Sequence, residues 1–245
     1  MVVRSVERAA YSVGGLLIAS GLIHVAVLVI GGGSWEGPLS LRKAATFGLS
    51  FGLTLINVTY IASFVTLRER PRQWLLGVFT AACVVETALV SMQAWRGVPS
   101  HFNMETGFDA AVAQTLAIGG FTLVGVIVAL TVAALRDRAA MPRGLRLAIQ
   151  AGLIALVGAQ IVGALMIATG VRRVISGDPQ TAYATGGWLK PVHAVLMHGI
   201  LVLPMLAWLT TTAGRSESAQ LEIVRAGVAL YVLIAVGALM LSLSG

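Results

Sequence analysis

Seven apolar runs of about 20 residues or more constrain this chain more than any other feature of its sequence. An α-helix rises about 1.5 Å per residue, so about 20 residues cross a hydrocarbon core of about 30 Å. A helix satisfies its own backbone hydrogen bonds in lipid, and each run therefore predicts a transmembrane helix. The runs are Tyr11–Ile30, Ala44–Leu67, Trp74–Trp95, Phe108–Ala134, Leu147–Thr169, Val192–Thr212 and Ile223–Leu243.

The composition agrees with a chain that lies almost wholly in a membrane. Hydrophobic residues make up 57% of it and charged residues only 11%, against roughly 25% charged residues in soluble domains. We expect an all-α integral membrane protein in which residues 1–245 form one seven-helix domain in contact with the lipid bilayer. The net charge of +7 does not indicate a nucleic-acid partner, because the basic residues lie in short loops between apolar runs. No cleavable signal peptide is expected, because the first run is long enough to span.

The distribution of basic residues predicts the orientation, since loops rich in lysine and arginine stay in the cytoplasm. The N-terminus is expected to be cytoplasmic and the C-terminus extracytoplasmic. Phrases such as Arg96-Gly97-Val98-Pro99-Ser100-His101 resemble bacterial membrane proteins, which favours a bacterial plasma membrane. The larger, cytoplasmic set is Arg4, Arg8, Arg68, Arg70, Arg72, Arg136, Arg138, Arg143, Arg146, Arg215 and Arg225, and the outer set is Arg42, Lys43, Arg96, Arg172, Arg173 and Lys190.

The second and sixth runs begin alike, which allows a three-plus-one-plus-three repeat. Each follows a tryptophan and a lysine on the predicted outer side, Trp35 and Lys43 in one case and Trp188 and Lys190 in the other. In such a layout these two runs correspond to each other as parallel repeats.

Polar side chains inside the runs mark the candidate site, because ionisable groups at membrane depth are costly and usually functional. Counting helix rise places His24, Glu86, Gln160 and His198 roughly 10–15 Å below the predicted outer surface. His193 and His198 are five residues apart, about 140° around a helix, so they do not share a face. The sequence therefore predicts a polar cavity in the outer half, without deciding which of the two histidines faces it.

The favoured interpretation is a membrane-embedded enzyme that acts on a hydrophobic small molecule, lipid-like or isoprenoid, by acid–base chemistry of a cyclase, isomerase or hydrolase type. Glu86 and His198 would exchange protons, with His193 and His24 as further catalytic candidates. Seven-span membrane terpene cyclases are similar in length and use carboxylic acids, which is a likeness of size only. The residues expected to bind the substrate are Trp35, Gln93, Arg96, His101, Asn103, Asp109, Gln160, Trp188 and Lys190.

Two alternative functions stay open at this stage. His24 and His198 could ligate haem b, or His24, Glu86 and His198 a divalent metal, although the favoured interpretation needs no cofactor. A small-molecule transporter or receptor is the second alternative. A microbial rhodopsin is excluded because the last run has no lysine for a Schiff base.

Each candidate residue also has a purely structural interpretation. A membrane histidine often hydrogen-bonds to a neighbouring helix. Asp109 can cap the fourth run, and Lys43, Arg96 and Lys190 can anchor helix ends at the membrane surface.

Overall fold

A computed structural model of the protein describes residues 4–37, 39–137, 141–184 and 187–244. These residues form helices and loops, and no strand occurs among them. The helices are α1 (Ser5–Ile30), α2 (Arg42–Phe64), α3 (Glu69–Trp95), α4 (Gly107–Arg136), α5 (Arg143–Ile175), α6 (Pro179–Ala184), α7 (Lys190–Thr212) and α8 (Glu217–Ser244).

Seven of the described helices, all except the short α6, are long and apolar enough to cross a membrane. This confirms the prediction of an all-helical, multi-pass membrane protein. Most of the helices are longer than the apolar runs, because charged residues such as those of Glu69–Arg72 continue the helix beyond the hydrocarbon core. The second run was predicted to reach Leu67, but α2 ends at Phe64, and the backbone N–H of Thr66 donates to the Asp137 carboxylate at 2.7 Å instead. The repeat stays a prediction.

The chain divides into two compact units. Unit 1 comprises Met1–Tyr60, Arg68–Val126 and Gly170–Thr185, and unit 2 comprises Ile61–Leu67, Ile127–Thr169 and Gly186–Gly245. The expectation of one domain over residues 1–245 stays a prediction.

Glycines bring α1 and α2 of unit 1 into close contact. An added Cβ at Gly21 or at Gly48 would lie 2.7 Å from a backbone atom of the other helix, and Gly14 and Gly52 pack equally tightly on the same interface. Small residues allow this approach, which maximises van der Waals contact where lipid supplies no hydrophobic driving force. The pairing of Gly14 with Gly52 and of Gly21 with Gly48 shows that the two helices are antiparallel.

A buried ion pair joins the first turns of α1 and α3 in unit 1. The Arg72 guanidinium donates to the Glu7 carboxylate at 3.3 Å, and both side chains are 3% exposed. Arg4 bridges to the Glu7 and Glu69 carboxylates beside them. Because α1 and α3 also meet in their C-terminal halves, through His24 and Trp95, the two helices run parallel.

In unit 2 the helices α7 and α8 pack closely along their length. Ala148, Leu203, Ala207 and Val224 form a buried cluster there, and the Tyr231 hydroxyl donates to the Val195 carbonyl oxygen at 2.5 Å. Much of the opposite face of α8 is exposed and apolar, including Leu233 and Leu241. Such a face fits contact with lipid acyl chains.

Candidate functional site

One end of unit 1, where α1 and α3 end and α2 and α4 begin, holds several of the candidate polar side chains. We call this the loop end of unit 1. The segment between α3 and α4 is well packed there, since Ser100 and Asn103 are buried. Function often lies in loops that a rigid scaffold holds, and this loop has the packing such a role needs.

Lys43 and His101 are bonded to each other at the loop end. The Lys43 ammonium has only donors, so it donates to Nδ1 of His101 across 3.1 Å. The ring proton of His101 then lies on Nε2. Burial, and then the charge of Lys43, holds the pKa of His101 well below its ordinary value. His101 is therefore a neutral imidazole and a hydrogen-bond acceptor for Lys43.

Several contacts fix the His101 ring in this position. The Ser100 hydroxyl lies 3.0 Å from Nδ1, and Phe47 and Phe102 pack edge-on with ring centroids 5.8 and 6.1 Å away. Phe102 has a φ of 64°, a left-handed conformation that is unfavourable for a bulky residue. Its ring lies against Gly170, where a Cβ would collide with it. Local strain of this kind tends to occur at functional sites.

Asn103 completes the same loop and is fully buried. Its Oδ1 accepts a hydrogen bond from the backbone N–H of Glu105 at 3.1 Å. Its Nδ2 has no hydrogen-bond partner among the described residues. A buried amide without a partner is costly, so this group is available to a ligand that would bring an acceptor.

Glu86 lies deeper, nine residues before the end of α3 and so roughly 14 Å along the helix. It is only 3% exposed, and its carboxylate lies against Gly119 of α4, where a Cβ would collide with Oε1. Oε1 has no hydrogen-bond partner in the described part of the chain. Glu86 and Lys43 interact electrostatically without reaching salt-bridge distance. A buried carboxyl group thus lies near a lysine that donates to a neutral histidine.

Gln93, Arg96 and Asp109 form a second network, in which both carboxylate oxygens of Asp109 accept hydrogen bonds. The Asp109 Oδ1 accepts from Gln93 Nε2 at 2.9 Å and from Arg96 at 2.6 Å, and Arg96 also donates to the Gln93 amide oxygen. Thr106 donates to Asp109 Oδ2 at 2.6 Å and accepts the Asp109 backbone N–H at 3.0 Å. The Thr106 hydroxyl therefore caps the start of α4, and Asp109 in the first turn of the helix accepts the hydroxyl proton in return. This network holds α3 to α4 and leaves little capacity for a substrate.

His24 is satisfied at both ring nitrogens. Its Nδ1–H donates to the Ser20 carbonyl oxygen at 2.7 Å, and Nε2 accepts from the Trp95 indole at 3.0 Å. This pattern requires a neutral ring. With both nitrogens bonded, His24 joins α1 to α3, and it would have to break a hydrogen bond to ligate a metal or to take a proton.

Most of the remaining candidates belong to unit 2, and the two histidines of α7 differ in their surroundings. His193 is half-buried, its Nδ1–H donates to the Ala159 carbonyl oxygen of α5 at 2.9 Å, and its ring packs on Gly163. His198 is exposed and donates to the Ala194 carbonyl oxygen of its own helix at 2.6 Å. Within unit 2, therefore, His193 is the inward-facing histidine. Gln160 beside Ala159 is half-buried, and Lys190 and Trp188 are exposed, as is Trp35 in unit 1.

The most informative contacts are ones that the sequence reasoning missed. Lys43 was interpreted as a helix-end anchor, and its partner His101 is 58 residues away. Gly119 was not singled out, although its missing side chain makes room for Glu86. Lys43 was nevertheless detectable as one of only two lysines in the sequence.

Among the described residues, no group of three or more histidine, cysteine, aspartate or glutamate side chains is placed to hold a metal ion. Comparisons of the chain with known protein families, with curated proteins and with solved structures give no match.

Proposed function

We propose that the protein is a membrane-embedded enzyme that acts on a lipid-like or isoprenoid small molecule by acid–base chemistry at the loop end of unit 1. One observation supports this proposal above the others. Glu86 is a buried carboxyl group, one oxygen of which has no hydrogen-bond partner among the described residues, and it interacts electrostatically with Lys43, which donates to the neutral imidazole of His101.

These three groups have complementary roles in the proposal. Glu86 gives and takes the proton at the reacting carbon, since it is shielded from water and no cation from the described part of the chain is bonded to it. His101 is a neutral base held in one orientation by Ser100 and the flanking aromatic rings. Lys43 supplies positive charge to a group that becomes negative during the reaction. His24 and Asp109, which were expected at the site, act in this proposal as parts of the scaffold.

The proposal places the loop end on the extracytoplasmic side of a bacterial plasma membrane. The larger set of arginines lies at the opposite ends of the spans, and loops rich in these residues stay in the cytoplasm. The exposed apolar faces of the helices suit entry of the substrate from the lipid.

Deuterium exchange tests the proposal without knowledge of the substrate. The purified protein is incubated with a total lipid extract in D2O, and the lipids are analysed by mass spectrometry. Acid–base chemistry at carbon introduces deuterium into one class of lipid or converts it to an isomer or hydrolysis product. We expect Glu86→Gln to lower the rate of deuterium incorporation or conversion at least about 100-fold, because a general acid or base usually contributes that much.

Glu105→Gln is the matched control, because Glu105 is an exposed carboxylate at the same end of unit 1. It should leave the rate within about twofold of the wild type, since an exposed carboxylate beyond the buried site contributes little. A wild-type protein that changes no lipid, or a Glu86→Gln variant with full activity, would overturn the proposal.

A further inference from the structure

We propose that Lys43 forms a covalent imine with the carbonyl group of an apolar aldehyde or ketone. This inference rests on the proposed site, because it uses the same three side chains, and it names the class of molecule that the site takes. Lysine is well suited to this role, because its amine becomes a nucleophile when it is desolvated and lies beside another cation.

The surroundings of Lys43 meet both conditions. The side chain is half-buried in the first turn of α2, directly after Arg42. In the described part of the chain no carboxylate lies within salt-bridge distance of it, and its hydrogen bond goes to Nδ1 of His101. The positive end of the α2 dipole adds to the charge of Arg42. An ammonium group so placed can pass a proton transiently to His101, which is neutral at rest and gives the proton back when water leaves, and this exposes a free amine.

Apolar groups pack against His101, to which this amine is bonded, and the Glu86 carboxylate interacts electrostatically with the amine. Phe47 packs against the His101 ring and against Phe51, and it also covers a buried cluster that includes Val90 and Leu116. Such a lining favours a hydrocarbon chain. Glu86 supplies the negative charge that a protonated imine needs, which an ordinary surface lysine would lack.

The reaction balances with the groups present. The Lys43 ammonium gives one proton to Nδ1 of His101, and the neutral nitrogen bonds to the carbonyl carbon. The carbonyl oxygen takes one proton from the new nitrogen centre and one from the His101 imidazolium, and it leaves as water. The product is a protonated C=N bond on Lys43, its positive charge balanced by Glu86, and His101 is neutral again.

Reductive trapping tests this inference sharply, because the sequence contains only two lysines, Lys43 and Lys190. The wild-type protein in detergent is treated with decanal and sodium cyanoborohydride, which converts an imine to a stable secondary amine. Peptide mass spectrometry then measures the decyl adduct at each lysine. We expect at least about tenfold more adduct at Lys43 than at the exposed Lys190, because only Lys43 has an activating environment. Equal labelling, or preferential labelling of Lys190, would overturn the inference.

Three further measurements keep the result interpretable. In protein unfolded with sodium dodecyl sulfate the preference for Lys43 should disappear, which shows that the fold creates it. Glu86→Gln should lower the adduct at Lys43 several-fold, whereas Glu105→Gln should not. The two experiments are independent. Deuterium exchange without an adduct would rule out the imine, and an adduct without deuterium exchange would rule out the proposed acid–base reaction but not the imine.

Discussion

The Glu86 carboxylate lies directly against the backbone of Gly119, so α4 approaches α3 where the buried acid sits. A Cβ at Gly119 would collide with Oε1 of Glu86. The glycine hydrogen that takes its place can make a weak Cα–H···O contact to that oxygen. Gly119 therefore sets the position of Glu86 as well as the distance between the two helices.

Gly119→Ala should consequently destabilise the protein. Overpacking of this kind costs about 1–3 kcal/mol, which thermal unfolding in detergent would detect as a lower Tm. Gly120→Ala is the matched control, because a Cβ there meets nothing within 4 Å, and it should not lower Tm, since alanine favours a helix more than glycine does.

The double variant Gly119→Ala with Glu86→Ala tests whether the collision with Glu86 causes the loss of stability in Gly119→Ala. Removal of the carboxylate relieves the collision, so the two changes should be less destabilising together than their sum. Strict additivity would show that Gly119 and Glu86 do not constrain each other.

Trp95→Phe should reduce stability without removing the proposed activity. The change leaves Nε2 of His24 without its donor, and loss of one hydrogen bond at a partly buried site costs on the order of 1 kcal/mol. Trp74→Phe changes an exposed tryptophan on the same helix and should have no such effect. The measurements are Tm and deuterium exchange per folded molecule. If Trp95→Phe loses more deuterium exchange than its loss of folded protein explains, His24 takes part in catalysis and is not only part of the scaffold.

The spans could be predicted from the sequence, because hydrocarbon thickness fixes how long an apolar helix must be. The interaction partners of the buried acid could not be predicted. Glu86 was singled out correctly as a buried acid, since depth follows from helix rise alone. Its expected partner His198 is exposed in unit 2. The direction of a side chain around a helix depends on which neighbours pack against it, and a uniformly apolar run carries no such signal.

Loop contacts escaped prediction for a related reason. Lys43 and His101 are brought together by the close packing of α2 and by the backbone turn at Phe102, whose φ of 64° is unusual for a phenylalanine. Nothing in the local sequence marks that residue as left-handed, because glycine or asparagine is the usual choice. By contrast, a role for Asp109 at the start of α4 could be anticipated, because acids favour the first turn of a helix.

Because the pKa of His101 is lowered in the folded protein, we expect the stability of the fold to depend on pH. In the folded protein the imidazole stays neutral, whereas in the unfolded chain it takes up a proton near its ordinary pKa of 6.5. The unfolded state therefore binds more protons below about pH 6.5, and stability falls as the pH falls through that range. His101→Asn removes this group, so its Tm should decline less between pH 7.5 and pH 5.5 than that of the wild type. Parallel declines in the two proteins would contradict the neutral state assigned to His101.

The membrane orientation can be tested with single cysteines, because the chain has only Cys83 and that residue is buried. In a Cys83→Ala background, Ser34→Cys lies in the loop between α1 and α2 and Ser218→Cys in the first turn of α8, and both positions are exposed. With the loop end extracytoplasmic, a membrane-impermeant maleimide added to intact cells should label Cys introduced at position 34 and leave position 218 unlabelled until the membrane is opened. Labelling of both positions in opened cells controls for reactivity. The reverse pattern would place the proposed site on the cytoplasmic side and would contradict the orientation predicted from the arginine distribution.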